Sequence, residues 1–395
     1  MGPGGAEAGV GGGGGDGTSS SPGWAEDGIV RYTYLQGGGI ELSKAEARRL
    51  RRHEVEQVVA SKKMLFLVLD LDHTVLNSAR ASEVGAEAAG ILGQRLEAQA
   101  SRTRPGELPA DGLFHLPHIN MFTKLRPYVR DFLREAAKLY RLYVYTMGER
   151  GYALEMAKLL DPEENLFPER VISANDSSHR RIKDLDIVLG GEWASTCVIM
   201  DDTVDVWPSY KENVLLVDRY HYFPSSIASF GLIGRDSLLE AGRDERAEDG
   251  MLARCLSALR RIHSEYFARL QASNADKEEG ETDIELPDIR DIMRMVKADI
   301  LRGVVILFTR VIPRDASDPS AHRVWQLAVS LGAEVAETQD ERVTHVVAGA
   351  PGTHKQLWGA ERGKRVVTVH WLEACAMMWA RLPESSFKVV RESEG

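Results

Sequence analysis

Met64-Leu65-Phe66-Leu67-Val68-Leu69-Asp70-Leu71-Asp72-His73-Thr74 is the stretch on which the fold turns. Six apolar residues run without a break into two aspartates. A short run that is apolar on both parities suits a strand buried on both faces, as in a parallel sheet. Asp70 and Asp72 follow directly. Side chains two apart in extended chain share a direction, so both carboxylates can face one small volume. In open α/β sheets ligands bind there, beyond the carboxyl ends of the strands. Neighbouring carboxylates repel unless one is protonated or a cation lies between them. The plain alternative is an Asp-rich turn. The lack of any gap between the strand and Asp-x-Asp-x-Thr favours a functional site.

Asp70-Leu71-Asp72-His73-Thr74-Val75 resembles the signature of the aspartate-nucleophile phosphatases of the haloacid dehalogenase superfamily. By itself this motif implies the superfamily and no narrower branch.

Buried strands alternate with helices after it. Arg141–Thr146, 171–173, Thr196–Met200 and Asn213–Val217 read as strands. Helices are expected from Pro127, a favoured first helical residue, to Tyr140, and over Tyr152–Leu160. This order predicts a doubly wound parallel α/β sheet over 40–236. Residues 77–119 lose periodicity and hold Pro105, Pro109 and Pro117. They read as an insertion over the site or as a spacer with no role, with a helical piece at Ile91–Ala100. Residues 1–23 are Gly-rich and are expected to form a disordered tail. Ser43 and Glu46 fit a capping box opening a helix to about Ala60. Residues 237–296 read as a helical connector with an acidic linker near Asn274–Thr282. Over 297–393 the order is strand, helix, strand, strand, helix, strand, helix, with one helix from Asp318 to Leu331. That order, with Leu331-Gly332-Ala333, Thr344-His345-Val346-Val347 and Val369-His370-Trp371-Leu372, resembles a BRCT domain. The fold class expected is therefore α/β: a haloacid-dehalogenase-like sheet with an insertion, plus a smaller α/β BRCT domain.

Phosphoryl transfer through an aspartate needs few parts. Asp70 is the nucleophile. Asp72 gives a proton to the leaving oxygen and later takes one from water. A Mg²⁺ ion, which prefers hard oxygen ligands, offsets the negative charge. Asp70 supplies one ligand; Asp202, or Asp201, at the end of a neighbouring strand supplies another. The superfamily resemblance adds the backbone carbonyl of Asp72. Thr146, at a strand end, and Lys183 are the hydroxyl and cation that hold the non-bridging phosphate oxygens. Singly, each is commonplace: a turn threonine, a solvated lysine, a capping aspartate. Together, in this order and mostly at strand ends, they point to a phosphatase.

The branch follows from Thr123-Lys124-Leu125-Arg126-Pro127, Tyr143-Val144-Tyr145-Thr146-Met147-Gly148, Ala157-Lys158-Leu159-Leu160-Asp161-Pro162 and Met200-Asp201-Asp202-Thr203-Val204-Asp205-Val206-Trp207. These resemble the RNA polymerase II carboxy-terminal-domain phosphatases of the TFIIF-associating type, which pair such a catalytic domain with a BRCT domain. The resemblance spans about residues 40–393. It implies a nuclear, Mg²⁺-dependent phosphoserine phosphatase acting on heptad repeats, with general transcription factors such as TFIIF as partners. It also implies that Arg126 walls the site and helps bind phosphate, the plain alternative being a salt-bridging residue at a helix start. It gives His73 no role. In the BRCT unit, Thr309 and Lys355 stand where phosphopeptide-binding members place a hydroxyl and a lysine, with Thr353 nearby; Arg310 stands where those members often have Gly.

Composition bounds the rest. The 395 residues suffice for two domains with sizeable cores. A net charge of −10 argues against direct nucleic-acid binding. Cys197, Cys255 and Cys375 are far apart and sit among apolar residues, so reduced core thiols are expected. No apolar run has membrane-spanning length, and a soluble intracellular protein is expected. Two other functions stay open: a superfamily phosphatase of other phosphoproteins or small phosphate esters, and a BRCT phosphoprotein-binding adaptor.

Overall fold

The structure is a computed structural model and describes residues 29–33, 39–104, 109, 111–177, 181–188, 191–232, 234–275 and 285–390. The Gly-rich residues 1–23, and most of the acidic stretch after Asn274, lie outside the described residues. The chain divides into two units at His53/Glu54. In the first, β1 (Ile29–Thr33) pairs antiparallel with β2 (Gly39–Ser43), and α1 (Lys44–Glu56) starts directly after β2.

The second unit begins with a short π-helical turn, Gln57–Ser61, that buries Val58 and Val59. Then comes β3 (Leu65–Leu69), whose five residues are all buried, as its two-sided apolar pattern requires. Next are β4 (Leu76–Arg80), α2 (Ala86–Arg102), β5 (Leu113–Leu116), β6 (Met121–Leu125), α3 (Val129–Ala136), β7 (Tyr140–Tyr145), α4 (Arg150–Leu160), β8 (Val171–Ile172), β9 (Cys197–Asp201) and β10 (Val214–Leu216). Strands β10, β9, β3, β7 and β8 form, in that order, a parallel five-stranded sheet with β3 at its centre. Leu69 lies level with Val144 on one side and Met200 on the other. The residues that follow these three strands therefore emerge together at one edge.

Two local expectations are corrected. The insertion expected over 77–119 carries regular structure: β4, β6 and β5 form an antiparallel three-stranded sheet, and α2 is longer than the helical piece expected. Strands this short give little periodic signal. Its core is a small separate cluster in which Leu92 of α2 packs with Leu113, Tyr222 and Phe223. The helix expected to begin at Pro127 starts at Val129, because Tyr128 holds a left-handed backbone at φ 72°.

Beyond α5 (Pro224–Ser229), the helices α6 (Met251–Ser273) and α7 (Ile289–Ala298) pack rather than merely connect. Leu252, Leu256, Leu259 and Ile262 are buried along one stripe of α6. The Tyr140 hydroxyl donates to the Leu259 carbonyl at 2.7 Å, joining α6 to the central sheet. The last part of the second unit holds β11 (Val305–Thr309), α8 (Arg323–Ser330), β12 (Glu334–Ala336), β13 (His345–Ala348), α9 (His354–Glu361), β14 (Arg365–Val367) and α10 (Val369–Met377). Its parallel sheet has the order β12-β11-β13-β14. The single helix expected from Asp318 is instead a short 3-10 turn at Pro319–Ala321 followed by α8. His322 breaks the run, its extended backbone and side chain capping Val324 N–H. Gly332 locks α8 to α7: at φ 88° any Cβ there would lie 1.7 Å from the Ala298 carbonyl oxygen. All three cysteines are free and buried. Among the described residues no helix is long and apolar enough to cross a membrane.

Candidate active site

The site gathers at the carboxyl edge of β3, β7 and β9. Asp70 N–H donates to the Met200 carbonyl at 2.9 Å, which pins the first residue past β3 to β9. Its carboxylate is buried. One oxygen, Oδ1, accepts from Lys183 Nζ at 2.6 Å, and Oδ2 accepts from Thr74 Oγ1 at 3.1 Å. Lys183 Nζ also donates to Asp201 Oδ2 at 2.7 Å. The lysine is held from behind, its backbone N–H bonded to the Val206 carbonyl at 2.8 Å. Asp201 is fixed twice more, by Trp207 Nε1 on Oδ2 at 2.9 Å and by Thr203 N–H on Oδ1 at 2.9 Å. Asp202 accepts from Arg219 Nε.

One carboxylate oxygen from each of Asp70, Asp201 and Asp202 lies within 4.8 Å of the others. Three hard oxygen donors converging on one point suit Mg²⁺. The Asp72 side chain is not among them. It turns to α4, where the Tyr152 hydroxyl reaches Asp72 Oδ1 at 2.5 Å and lies 2.9 Å from Ser78 Oγ. Asp72 and Asp70 thus leave one motif for two different environments.

Burial pushes the Asp70 carboxyl well above the usual range, opposed by Lys183 and reinforced by Asp201. Burial raises Asp72 as well, against the Tyr152 hydrogen bond that favours its charged form. For Lys183 burial alone would lower the ammonium, but Asp70 and Asp201 hold it above the ordinary lysine value. A raised Asp72 suits a proton donor, and a charged Lys183 suits an anion.

Thr146 is buried at the tip of β7, with its backbone N–H on the Ile172 carbonyl at 3.0 Å. Its hydroxyl accepts from Gly148 N–H at 2.9 Å. Gly148 leaves space for the Tyr152 ring, which a Cβ would approach to 2.7 Å. The small residue after the strand thereby lets Tyr152 reach Asp72.

Arg126 is the one expected site residue that the structure turns to another task. Its side chain is fully buried and forms a fork with Glu245, at 3.0 and 2.6 Å. Nη1 donates to the Thr74 carbonyl at 2.9 Å. It holds the motif loop from behind, and its donors are spent on protein acceptors rather than aimed at phosphate. Sequence reasoning gave no role to Tyr152, Trp207, Arg219 or Glu245. Trp207 stands in a motif segment and could have been suspected; the others give no local signal.

In the second sheet, Thr309 Oγ1 donates to Thr353 Oγ1 at 3.0 Å, and Lys355 Nζ donates to the carbonyls of Glu337 and Phe308 at 3.1 and 3.4 Å. The Thr309 and Thr353 hydroxyls meet, and Lys355 reaches the backbone carbonyl of the residue before Thr309. Arg310 itself takes a left-handed backbone at φ 53°. The close approach is made by Gly349, where a Cβ would lie 2.1 Å from the Arg310 carbonyl oxygen.

Residues 65–232 match the family described as NLI interacting factor-like phosphatase, and residues 297–376 match the BRCA1 C Terminus (BRCT) domain. The Arabidopsis thaliana protein named RNA polymerase II C-terminal domain phosphatase-like 4 is 38% identical over 364 residues, covering 92% of this chain and 78% of the relative. RNA polymerase II C-terminal domain phosphatase-like 3 of the same plant is 40% identical over 370 residues, covering 92% of this chain but 28% of the relative. Among solved structures, the one titled "The Structure of Fcp1, an essential RNA polymerase II CTD phosphatase" superposes with a TM-score of 0.60 at 25% identity, over 87% of this chain and 100% of that one. Sequence, fold and the pairing of the two domains agree, and the chain belongs to the RNA polymerase II C-terminal domain phosphatase family.

Proposed function

We propose that this protein is a Mg²⁺-dependent phosphoserine phosphatase of the RNA polymerase II carboxy-terminal heptad repeats, acting in the nucleus through an aspartyl-phosphate on Asp70. The observation that carries this reading is the buried Asp70–Lys183–Asp201 chain, at 2.6 and 2.7 Å, with Asp202 beside it. Asp70, Asp201 and Asp202 would hold Mg²⁺, with the Asp72 carbonyl as a further donor. When bound, the ion offsets the combined charge of carboxylates and phosphate.

An Asp70 oxygen attacks phosphorus, and the bond from phosphorus to the serine oxygen breaks. Asp72 gives its proton to that oxygen. In the second half, water attacks phosphorus, Asp72 takes the water's proton, and the phosphoryl bond to Asp70 breaks. Thr146 and Lys183 hold the non-bridging oxygens in both halves. Arg126 positions the motif loop and does not touch substrate.

General transcription factors such as TFIIF are the partners the family suggests. The grouping of Thr309, Thr353 and Lys355 supports a second role, phosphopeptide docking by the BRCT unit. Loss of phosphopeptide binding on Lys355→Ala would support it; unchanged binding would remove it.

The test of the main reading is phosphate release from heptad peptides phosphorylated at one defined serine, with Mg²⁺ and then with chelator. Release with Mg²⁺ that chelation stops is expected. No release with Mg²⁺ would overturn the reading, and a strong preference for small phosphate esters would transfer it to the small-molecule alternative.

A further inference from the structure

The carboxyl edge of the five-stranded sheet carries the aspartates, and its amino edge carries a cavity of about 300 Å³. The cavity lies where three parallel strands begin. Met64 precedes β3, Arg141 and Leu142 belong to the first half of β7, and Arg170 precedes β8. From the cavity β7 runs on to Tyr145, one residue short of Thr146. That is roughly 20 Å of extended chain, so the cavity and the phosphate-binding threonine lie at opposite edges of one sheet.

The lining has two characters. Val58, Met64, Leu142 and Leu166 make it apolar, with Val58 and Leu142 buried. Lys62, Arg141 and Arg170 make it cationic, and among the described residues no carboxylate lines it. In a chain of net charge −10 this is a local excess of positive charge. Two acids are bonded to lining residues, Glu54 to Arg141 at 3.0 Å and Glu163 to Asn165 at 3.2 Å, and neither lines the cavity itself.

The cations are not used up by the fold. Arg170 is fixed by two carbonyls, with Nε on Leu142 at 2.9 Å and Nη2 on Leu166 at 2.8 Å, so the guanidinium is held in place with Nη1 to spare. The Lys62 ammonium is exposed and has no partner among the described residues. Burial, and after it the neighbouring Arg141, push the Arg170 guanidinium below its ordinary value. The two guanidiniums therefore repel each other, and an anion set between them relieves that repulsion. A volume of about 300 Å³ is at the lower end for ligand sites, enough for one or two side chains rather than a nucleotide.

We propose that this cavity docks an acidic peptide segment of a partner protein, seating an apolar side chain on Val58, Met64, Leu142 and Leu166 and setting flanking carboxylates against Lys62, Arg141 and Arg170. A bare inorganic anion gains nothing from the apolar lining, and a wholly apolar segment gains nothing from the cations. A short segment with both kinds of residue uses both. Docking at the amino edge leaves the carboxyl edge open, so a bound partner does not compete for Asp70. The inference does not depend on the phosphatase reading.

The test is fluorescence anisotropy of the full-length protein with a short labelled peptide that has Phe-Leu at its centre and Asp or Glu at every other position. Saturable binding is expected. It should weaken roughly tenfold or more when Phe-Leu becomes Ala-Ala, and likewise when the acids become their amides. Lys62→Glu reverses an exposed charge and should weaken binding roughly tenfold. Ala137→Leu, which fills part of the cavity from its lining, should weaken it as well, and denaturant melts verify that each variant is folded. No binding by the unaltered protein, equal binding of the Ala-Ala or amide peptide, or unchanged binding in both variants overturns the inference. Displacement of the peptide by inorganic phosphate at lower concentration would assign the cavity to a free anion and overturns it too.

Discussion

The Lys183 ammonium lies 2.6 Å from Asp70 Oδ1, and both groups are almost wholly shielded from water. A carboxylate buried without its partner would take up a proton and cease to be a nucleophile. Lys183→Ala should therefore lower phosphate release by at least about a hundredfold, the usual scale for a lost phosphate-binding donor. It should also cost about 3–5 kcal/mol of stability, because Asp70 and Asp201 lose their common partner. Single-turnover assays and denaturant melts check the two effects separately.

Tyr152 works against the burial that raises the Asp72 carboxyl. Its hydroxyl favours the ionised carboxylate, so removing it raises the Asp72 pKa further. Tyr152→Phe should shift upward the limb of the pH–rate profile on which Asp72 loses its proton. A profile unchanged in position would show that Asp72 is not the titrating acid.

Arg126 is a clamp, and its removal should read as instability rather than weak binding. Arg126→Ala leaves Glu245 without its ion-pair partner, with Met251 N–H still on its carboxylate, and frees the carbonyl of Thr74. A loss of about 3–5 kcal/mol is expected in thermal or denaturant unfolding. A raised KM with stability unchanged would contradict this.

Glu384 gives the BRCT unit an acid limit. Burial works against its charge, yet bonds from Arg381, its own backbone, His345 and Arg365 bring it down to about 2 from an ordinary 4.5. A carboxyl lowered on folding stabilises above its unfolded value, and that stability fades as pH falls from 4.5 towards 2. Melts across that window should show a loss that Glu384→Gln reduces.

Much of this was legible in the chain because it is local. The run Met64–Thr74 specifies a buried strand and two carboxylates at its tip, and the same pattern recurs at Thr146 and at Asp201-Asp202. Parallel topology then brings the tips together without further information. The supporting residues were hidden because their contacts are remote. Glu245 is 119 residues from Arg126, and Tyr152 is 80 from Asp72. Nothing in the neighbourhood of Arg126 distinguishes a phosphate ligand from a buried clamp; only the position of Glu245 decides it. The sheet of β4, β6 and β5 escaped notice for a different reason. Its strands are four or five residues long, and only part of each is buried.

In the proposed mechanism Asp70 carries the phosphoryl group. Borohydride reduces an acyl phosphate to the alcohol, so trapping the protein during turnover of a phosphoserine peptide, then sequencing it by mass spectrometry, locates the intermediate. Homoserine in place of Asp70, formed only with substrate and Mg²⁺ present, is the expected result. Reduction at Asp72 or any other residue, or continued turnover with Asp70 unmodified and replaceable by Asn, would contradict it.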